Sequence, residues 1–516
     1  MPSDARVVEN VGVGTWIERR ARTDPNRIAL VGADRTVTYG EFASRIRRLA
    51  NGLRRLGVER GDRVAWLGPN HPAFMESFFA AGALGAALAP VNHRLDDKQI
   101  ESILSDIGPR VLIEYGSTAP KTAFVPHRVF VSPSSPDTSD FEDLVRTSPD
   151  DAIDEQVGLE ELCLLAHTSG TTGEPKGIML THANITWNIV NFLTCADFRS
   201  DDVTIAIAPF FRVGGTGVNV LPVLFLGGTV LVPSGTDSDV LGLMERHRVT
   251  VGFGNPDSLQ ALVQSSAWDR TDLSSVRFIL TGGAPVPERL LRAYLDRGVL
   301  LVQGYGLSEA GPLALLLDPA HALKKVGAAG RPPLLVDVAI VDKDGAAVDE
   351  GQTGELLVRG PNVMAGYWNN PDATRDVLSA DGWLRTGDAA RRDRDGDIWI
   401  VDRVADAFDS GGQRVYPGDI ERVFGRHPSV VDVGVTKIDE TGGSGVVAVV
   451  VTAPGVTMPR DDLLAFGRRH LGPHEAPEAV VFARRLPRTT VGKLLRAEVA
   501  AIASGGDASA GVGTRL

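Results

Sequence analysis

Apolar positions along this chain change period several times, and each change marks an element. Over residues 39–57 they recur at helical spacing with arginines between them, which predicts an amphipathic helix. The next run, Val64-Ala65-Trp66-Leu67, is apolar throughout, as in a strand buried on both faces. Residues 72–88 predict a second helical stretch, rich in small side chains, and residues 89–92 a strand end. Short apolar runs at 111–114, 203–208, 229–232 and 278–280 then alternate with helical segments. That alternation predicts an α/β fold with largely parallel sheets. From about residue 330 the period drops to two. Residues 336–341 and 354–359 alternate, with a turn at 342–345, and a further hairpin is predicted over 389–402 through 393–397. After residue 402 comes a short α/β module: helix 417–427, strands 430–437 and 446–453, helix 460–471 and strand 479–483. Residues 503–516 are rich in Gly, Ser and Ala without period and predict a disordered tail.

At 516 residues the chain is long enough for two or three domains. A net charge of −12 argues against a nucleic-acid partner, which favours a basic face. The two cysteines, Cys163 in an apparent core strand and Cys195 in a helical stretch, make neither a disulfide framework nor a metal set. They fit a reducing compartment, so a cytoplasmic location is expected. The N-terminus lacks an apolar signal core. The most apolar runs, 78–91 and 218–233, are broken by Gly, Pro or Asn, so no integral membrane segment is expected.

The densest candidate chemistry lies in Thr168-Ser169-Gly170-Thr171-Thr172-Gly173-Glu174-Pro175-Lys176-Gly177. Glycines let backbone N–H groups converge, hydroxyls add donors, and Lys176 adds a positive charge; together they suit a polyphosphate. Only two residues separate Gly170 from Gly173, which is not the spacing of a P-loop ATPase or kinase. An apolar run at 162–166 precedes the loop, and residues 178–184 are expected to lead into a helix. Thr281-Gly282-Gly283-Ala284-Pro285 and Gln303-Gly304-Tyr305-Gly306-Leu307-Ser308-Glu309 each follow a predicted strand, where open α/β sheets bind ligands. Tyr305 offers a ring to a nucleobase, and Glu309 a carboxylate to magnesium beside phosphates. Asp388 suits ribose hydroxyls, Arg403 suits the same sugar or a phosphate, and Lys493 lies on a Gly-containing turn before a helix.

In order and spacing, the phosphate loop, Gly-Tyr-Gly-Leu-Ser-Glu at 304–309, Arg-Thr-Gly-Asp at 385–388, Asp-Arg at 402–403 and Pro-Arg-Thr-Thr-Val-Gly-Lys at 487–493 resemble an acyl-CoA synthetase of the adenylate-forming superfamily. That superfamily also holds firefly luciferase and the adenylation domains of peptide synthetases. The resemblance runs from about Trp16 to Arg496. It implies a large N-terminal domain of mixed sheets flanked by helices plus a β-rich subdomain (residues 1–402). A hinge near 402–405 would join it to a small mobile α/β domain (403–502), with the tail at 503–516. It implies an ATP-dependent ligase. A carboxylate attacks the α-phosphate of ATP, releasing pyrophosphate, and a thiol, usually of coenzyme A, then displaces AMP.

By position, the resemblance gives Thr168, Ser169, Gly170, Thr171, Thr172, Gly173 and Lys176 to the β- and γ-phosphates. It gives Gly283, Ala284 and Tyr305 to adenine, and Ser308 to the α-phosphate. Glu309 takes magnesium, and Asp388 and Arg403 take ribose. Lys493 falls to the reacting carboxylate and α-phosphate, and Gly411 and Gly412 to the path of the pantetheine thiol. Phe211, Arg212, Asn255, Gly304 and Gly306 fall at the acyl pocket.

The chain departs from the pattern in places. Pro209-Phe210-Phe211-Arg212-Val213-Gly214-Gly215 puts Arg212 where relatives have a His or aromatic residue. A buried arginine needs a partner, which leaves open a second carboxylate on a diacid, a protein acid, or the substrate carboxylate or phosphate. Asn255-Pro256-Asp257 replaces Val-Pro-Thr and suggests an acyl group bearing oxygen. Ala405 stands at a commonly charged hinge position, His474-Glu475 where relatives have Tyr-Lys, and a Trp-Gly-Glu segment is lost within 441–445. Two alternatives stay open: an enzyme that mainly thioesterifies an acyl-adenylate made elsewhere, and a nucleotide-binding protein without catalysis. The acceptor, coenzyme A or a carrier protein, and a homodimer also stay open.

Overall fold

The computed structural model describes residues 10–33, 35–116, 124–133, 139–167, 175–233, 239–410, 412–438, 445–453, 455–456, 458–488 and 494–505. The chain divides into one unit of Met1–Val338 with Val358–Leu384 and a second of Ala339–Leu357 with Arg385–Leu516.

The first unit is built on two large sheets. The eight-stranded sheet runs in the order Leu315–Leu316, Leu300–Tyr305, Phe278–Thr281, Val251–Gly254, Val203–Ile205, Thr229–Leu231, Ile28–Val31, Thr36–Thr38. Its inner strands are parallel and both edge strands antiparallel. The seven-stranded sheet runs Gly366–Tyr367, Gly177–Thr181, Leu162–His167, Ala87–Val91, Arg63–Leu67, Val111–Tyr115, His127–Val131. Its last five strands are parallel. Parallel inner strands gather their carboxyl ends on one edge of each sheet, the edge where such sheets bind ligands. Helix Tyr39–Arg55 shows how the sequence builds the covering layer. Thr38 and Glu41 form a reciprocal capping box. Phe42, Ile46, Leu49 and Leu53 recur on one face and are buried. Arg45 reaches from the same helix to the fully buried carboxylate of Glu76 at 2.7 Å.

Three expectations change here. The helical stretch expected over 72–88 ends as helix Pro72–Ala83, and Ala87–Val91 is a strand. Apolar runs suit either form, and parallel pairing with Arg63–Leu67 selects the strand. The segment after the phosphate loop is likewise a strand. Gly177–Thr181 returns antiparallel along Leu162–His167, and the helix His182–Cys195 begins only where Thr181 caps it. The loop therefore joins a hairpin. Gln303, Gly304 and Tyr305 do not follow their strand but belong to Leu300–Tyr305, held there by pairing of Gly304 with Leu316 and Tyr305 with Leu315.

In the second unit, strands Asp337–Val341, Thr353–Arg359, Leu384–Arg392 and Ile398–Arg403 form a four-stranded sheet. Asp388 thus lies inside a strand rather than before the hairpin. Phe408–Ser410 and Gln413–Val415 form a small hairpin. Strands Val430–Lys437, Val446–Thr452 and Ala479–Phe482 form a three-stranded sheet, and the chain also forms helices Pro417–Phe424, Arg460–His470 and Arg496–Ala503. Their core includes Ile420, Phe424, Val435, Val446, Ala448, Val450 and Leu463. Cys163 and Cys195 are both free thiols. Among the described residues no helix is long and apolar enough to cross a membrane. Residues 506–516, most of the expected tail, lie outside the described residues.

Candidate active site

Thr168, Ser169, Gly170, Thr171, Thr172 and Gly173 lie outside the described residues, but both ends of their loop are placed. His167 and Gly177 are register partners, so the loop leaves and re-enters the sheet at one point. The short strand Gly366–Tyr367 lies beside it, with Tyr367 opposite Ile178 and Trp368 N–H donating to Gly177 O at 2.7 Å. This brings Tyr367 to Lys176, whose Nζ sits 5.0 Å from the ring centroid. The Tyr367 hydroxyl donates to Glu309 Oε1 at 3.0 Å. One tyrosine thus spans two residues that the sequence singled out separately.

Ser308 and Glu309 lie on a single 3-10 turn, Ser308–Ala310. Its approach needs Gly306, where a Cβ would sit 1.6 Å from Pro312 O, far inside contact distance. Buried asparagines hold the turn from several sides. Asn362 Nδ2 donates to Ala310 O and Leu313 O at 2.5 and 2.9 Å. Asn188 accepts from Leu313 N–H at 3.2 Å and donates to Gly217 O at 3.0 Å. Asn184 Nδ2 donates to Pro361 O and Val363 O. Each bond satisfies a backbone group that burial would otherwise leave unpaired, and together they fix the turn carrying Glu309. Among the described residues no group of three or more His, Cys, Asp or Glu could hold a metal ion. A lone, oriented carboxylate such as Glu309 suits magnesium, which takes one or two carboxylates and fills its shell with phosphate oxygens and water.

Off the same carboxyl edge stand the ends of Phe278–Thr281 and Leu300–Tyr305. Thr281 and Gln303 are register partners, and both are buried. Thr281 Oγ1 and Gln303 Oε1 have no hydrogen-bond partner among the described residues. Leaving such atoms unpaired costs about 1–3 kcal/mol each, so they mark where a ligand's polar groups would fit. Gly283 follows with φ +84° and no atom within 4 Å of the position a Cβ would take, leaving an open turn before Ala284. Gly304 and Tyr305 share the adjacent strand end.

Phe211 is buried, with the His93 ring edge-on at 5.8 Å. The guanidinium carbons of Arg212 and Arg94 lie 5.8 and 6.0 Å from the same ring. Burial, then the charge of Arg94, lowers the Arg212 pKa, and the same two causes in the same order lower that of His93. Asn255 accepts from Ser258 N–H at 2.9 Å and so caps helix Pro256–Gln264. Its oxygen therefore serves the helix end.

In the second unit Asp388 and Arg403 face each other across adjacent strands, 2.8 Å apart. Arg403 also donates to Thr386 O at 3.0 Å. Gly412, with φ +81°, lies in the turn of the small hairpin; Gly411 and Lys493 lie outside the described residues. Arg496, three residues beyond Lys493, meets Glu421 at 2.5 Å, Asp402 at 3.1 Å and Asp406 at 3.3 Å. Burial raises the pKa of Asp402 and Glu421 against the lowering effect of Arg496.

Sequence reasoning did not single out Tyr367, Asn362, His93, Arg94, Arg496 or the asparagines. A signal for the last existed: Asn184, Asn188 and Asn191 recur at i, i+4 and i+7 among the apolar residues of one helix, which marks a polar stripe in a largely buried element.

The model of the AMP-binding enzyme family matches residues 17–368, and that of the AMP-binding enzyme C-terminal domain matches 419–493. The chain is 44% identical over 497 residues to a feruloyl-CoA synthase of an Amycolatopsis species, covering 95% of this chain and 99% of that protein. It is 38% identical over 494 residues to an indoleacetate–CoA ligase of Aromatoleum aromaticum, covering 94% and 96%. The crystal structure of an anthranilate CoA ligase in complex with anthranoyl-AMP aligns with a TM-score of 0.85 at 26% identity, covering 96% of this chain and 97% of that one.

Proposed function

The chain belongs to the AMP-binding enzyme family and is an AMP-forming acid–thiol ligase, and from that premise we propose that its acid is a compact aromatic or arylalkanoic acid. The reaction is carboxylic acid plus ATP to acyl-adenylate and pyrophosphate, followed by thioester formation with coenzyme A and release of AMP. Adenylation solves a leaving-group problem: a carboxylate would have to expel oxide, whereas the mixed anhydride expels AMP. The relatives named above take ferulate, indoleacetate and anthranilate, each built on an aromatic ring.

What supports the reading is that Gly283, Tyr305 and the Ser308–Ala310 turn lie at or beyond the carboxyl ends of neighbouring parallel strands, and that the buried Phe211 follows the carboxyl end of another parallel strand of that sheet, Val203–Ile205. Phe211 offers the acyl group an apolar wall. Gly283, Ala284 and Tyr305 frame adenine, and Ser308 contacts the α-phosphate. The loop of residues 168–173 and Lys176 steady the departing pyrophosphate, Lys176 oriented by the Tyr367 ring. Glu309, held by the Tyr367 hydroxyl, would hold a magnesium ion, which offsets the triphosphate charge. Asp388 and Arg403 take the ribose, and Gly411 and Gly412 border the thiol's path. Lys493 stabilises charge at the reacting centre. We take residues 1–402 and 403–502 as the functional domains.

The test is pyrophosphate exchange on purified enzyme with a panel of aryl and alkyl acids, recording AMP and acyl-CoA separately. The reading expects exchange and acyl-CoA with arylacrylic or arylacetic acids at least tenfold above alkanoic acids of equal carbon number. Thioester formation from supplied acyl-adenylate, with no exchange for any acid, would identify the thioester-only enzyme instead.

A further inference from the structure

Two arginines, the exposed Arg94 and the half-buried Arg212, stand at the Phe211 ring. Among the described residues neither Arg94 nor Arg212 forms an ion pair with a carboxylate, although arginines elsewhere in this unit commonly do. Arg212 precedes the short helix Val213–Gly217, and two of the three glycines of that helix pack on strand Val251–Gly254 and on the segment after the Glu309 turn. A Cβ on Gly214 would lie 3.7 Å from Phe253, and one on Gly217 would lie 3.0 Å from Pro312. Gly217 O is also tied through Asn188 to Leu313, just past the Glu309 turn. The Phe211 ring compensates a half-buried guanidinium only weakly, and Arg94 repels it. His93 adds no charge that helps: its Nδ1 is buried without a partner among the described residues.

We propose that Arg212, assisted by Arg94, is the receptor for a second anionic group on the acid substrate, so that the substrates of this ligase are aromatic dicarboxylic acids. The proposal rests on the ligase reading above and names its substrate class. The reacting carboxylate is a poor match for the pair, because adenylation turns it into the uncharged acyl carbonyl of a mixed anhydride, whose remaining charge lies on the phosphate, and so withdraws its anion from the arginines midway. A second carboxylate keeps its charge through both half-reactions. A guanidinium fork binds a carboxylate through two parallel hydrogen bonds, which also fixes the ring's orientation. A site built to bind a polar group rejects analogues that lack it, because its own groups are then left unpaired.

The experiment compares matched acids, cinnamate with 4-carboxycinnamate and phenylacetate with 4-carboxyphenylacetate, by pyrophosphate exchange without coenzyme A. Wild type should prefer the diacid of at least one pair by tenfold or more in kcat/KM. Arg212→Gln should lower the diacid-to-monoacid ratio at least tenfold, Arg94→Gln should lower it less, and Arg212→Lys should fall between wild type and Arg212→Gln. Preference for the monoacid in both pairs, or an equal loss on both members in Arg212→Gln, overturns the proposal. So does an effect of Arg212→Gln confined to the KM of coenzyme A and absent with dephospho-coenzyme A, which would assign the cation to a phosphate of the thiol substrate. Calorimetric titration of the diacids separates the two readings. Diacid binding lost in Arg212→Gln, in an enzyme that exchanges with no acid, sustains the receptor and sinks the ligase; no diacid binding and no exchange overturns the receptor as well.

Discussion

Tyr367 joins Lys176 and Glu309 through two different faces of one side chain, its ring and its hydroxyl. Removing only the hydroxyl isolates the second contact. Tyr367→Phe should lower adenylation kcat/KM by roughly 10- to 150-fold, the scale of one hydrogen bond to a charged group, about 1.5–3 kcal/mol. It should also raise the magnesium concentration needed for half-maximal exchange, while the thermal midpoint moves by little. A magnesium dependence identical to wild type would show that the hydroxyl does not orient Glu309 toward the metal. Gly306 is constrained by space alone. Gly306→Ala drives a methyl onto Pro312 O, so the chain must shift and carry the Ser308–Ala310 turn with it. Adenylation should fall by roughly 100-fold, the cost of misplacing a reacting group by about 1 Å. Exchange within threefold of wild type would mean that the turn does not set the reaction geometry.

Elements position the site through bonds that hydrophobic pattern does not encode. Helix His182–Cys195 packs through apolar residues but orients the Glu309 turn through Asn184 and Asn188. In the second unit, Arg496 at the start of helix Arg496–Ala503 collects three carboxylates from the strand end at Asp402, the turn at Asp406 and the helix of Glu421. Arg496→Met leaves Asp402 and Glu421 buried without their cation. Breaking a buried pair from one side costs about 3–5 kcal/mol, and urea unfolding should show a loss of that size. A loss under 1 kcal/mol would mean that water already supports these carboxylates.

Across the whole first unit, the N-terminal segment is tied to the centre of the chain by Val13 N–H donating to His182 Nδ1 at 3.0 Å. Burial pushes the His182 pKa down from 6.5 to about 4, only partly offset by the Glu161 carboxylate. Above pH 6.5 the imidazole is neutral in both folded and unfolded chains and makes no difference to stability. Between pH 6.5 and 4 the unfolded chain binds a proton that the folded chain refuses, so stability falls as pH falls. That drop from 6.5 to about 4 corresponds to a loss on the order of 3 kcal/mol by pH 4. Urea unfolding at pH 7 and pH 5 should show this slope, and His182→Asn, which retains an acceptor for Val13 N–H, should flatten it. An equal slope in the variant would assign the pH dependence to other groups.

The sequence by itself determined which chemistry this protein carries and how its elements broadly alternate. Motif order is a property of the chain, so the family and its ligase chemistry were legible, and two-sided apolar runs or alternating residues announced most strands. Tertiary structure decided what periodicity cannot separate. Residues 87–88 and 178–181 suit helix or strand by composition and became parts of strands because a neighbouring strand offered its backbone. The same limit hid Tyr367, which reaches Lys176 and Glu309 only because a two-residue strand pairs with Gly177–Thr181. Arg212 shows the division most clearly. Its departure from the family's pattern was visible in the sequence, but that no described carboxylate of the chain answers it is a fact of three-dimensional packing. A charge is local to a residue, whereas its compensation depends on what the fold brings near it.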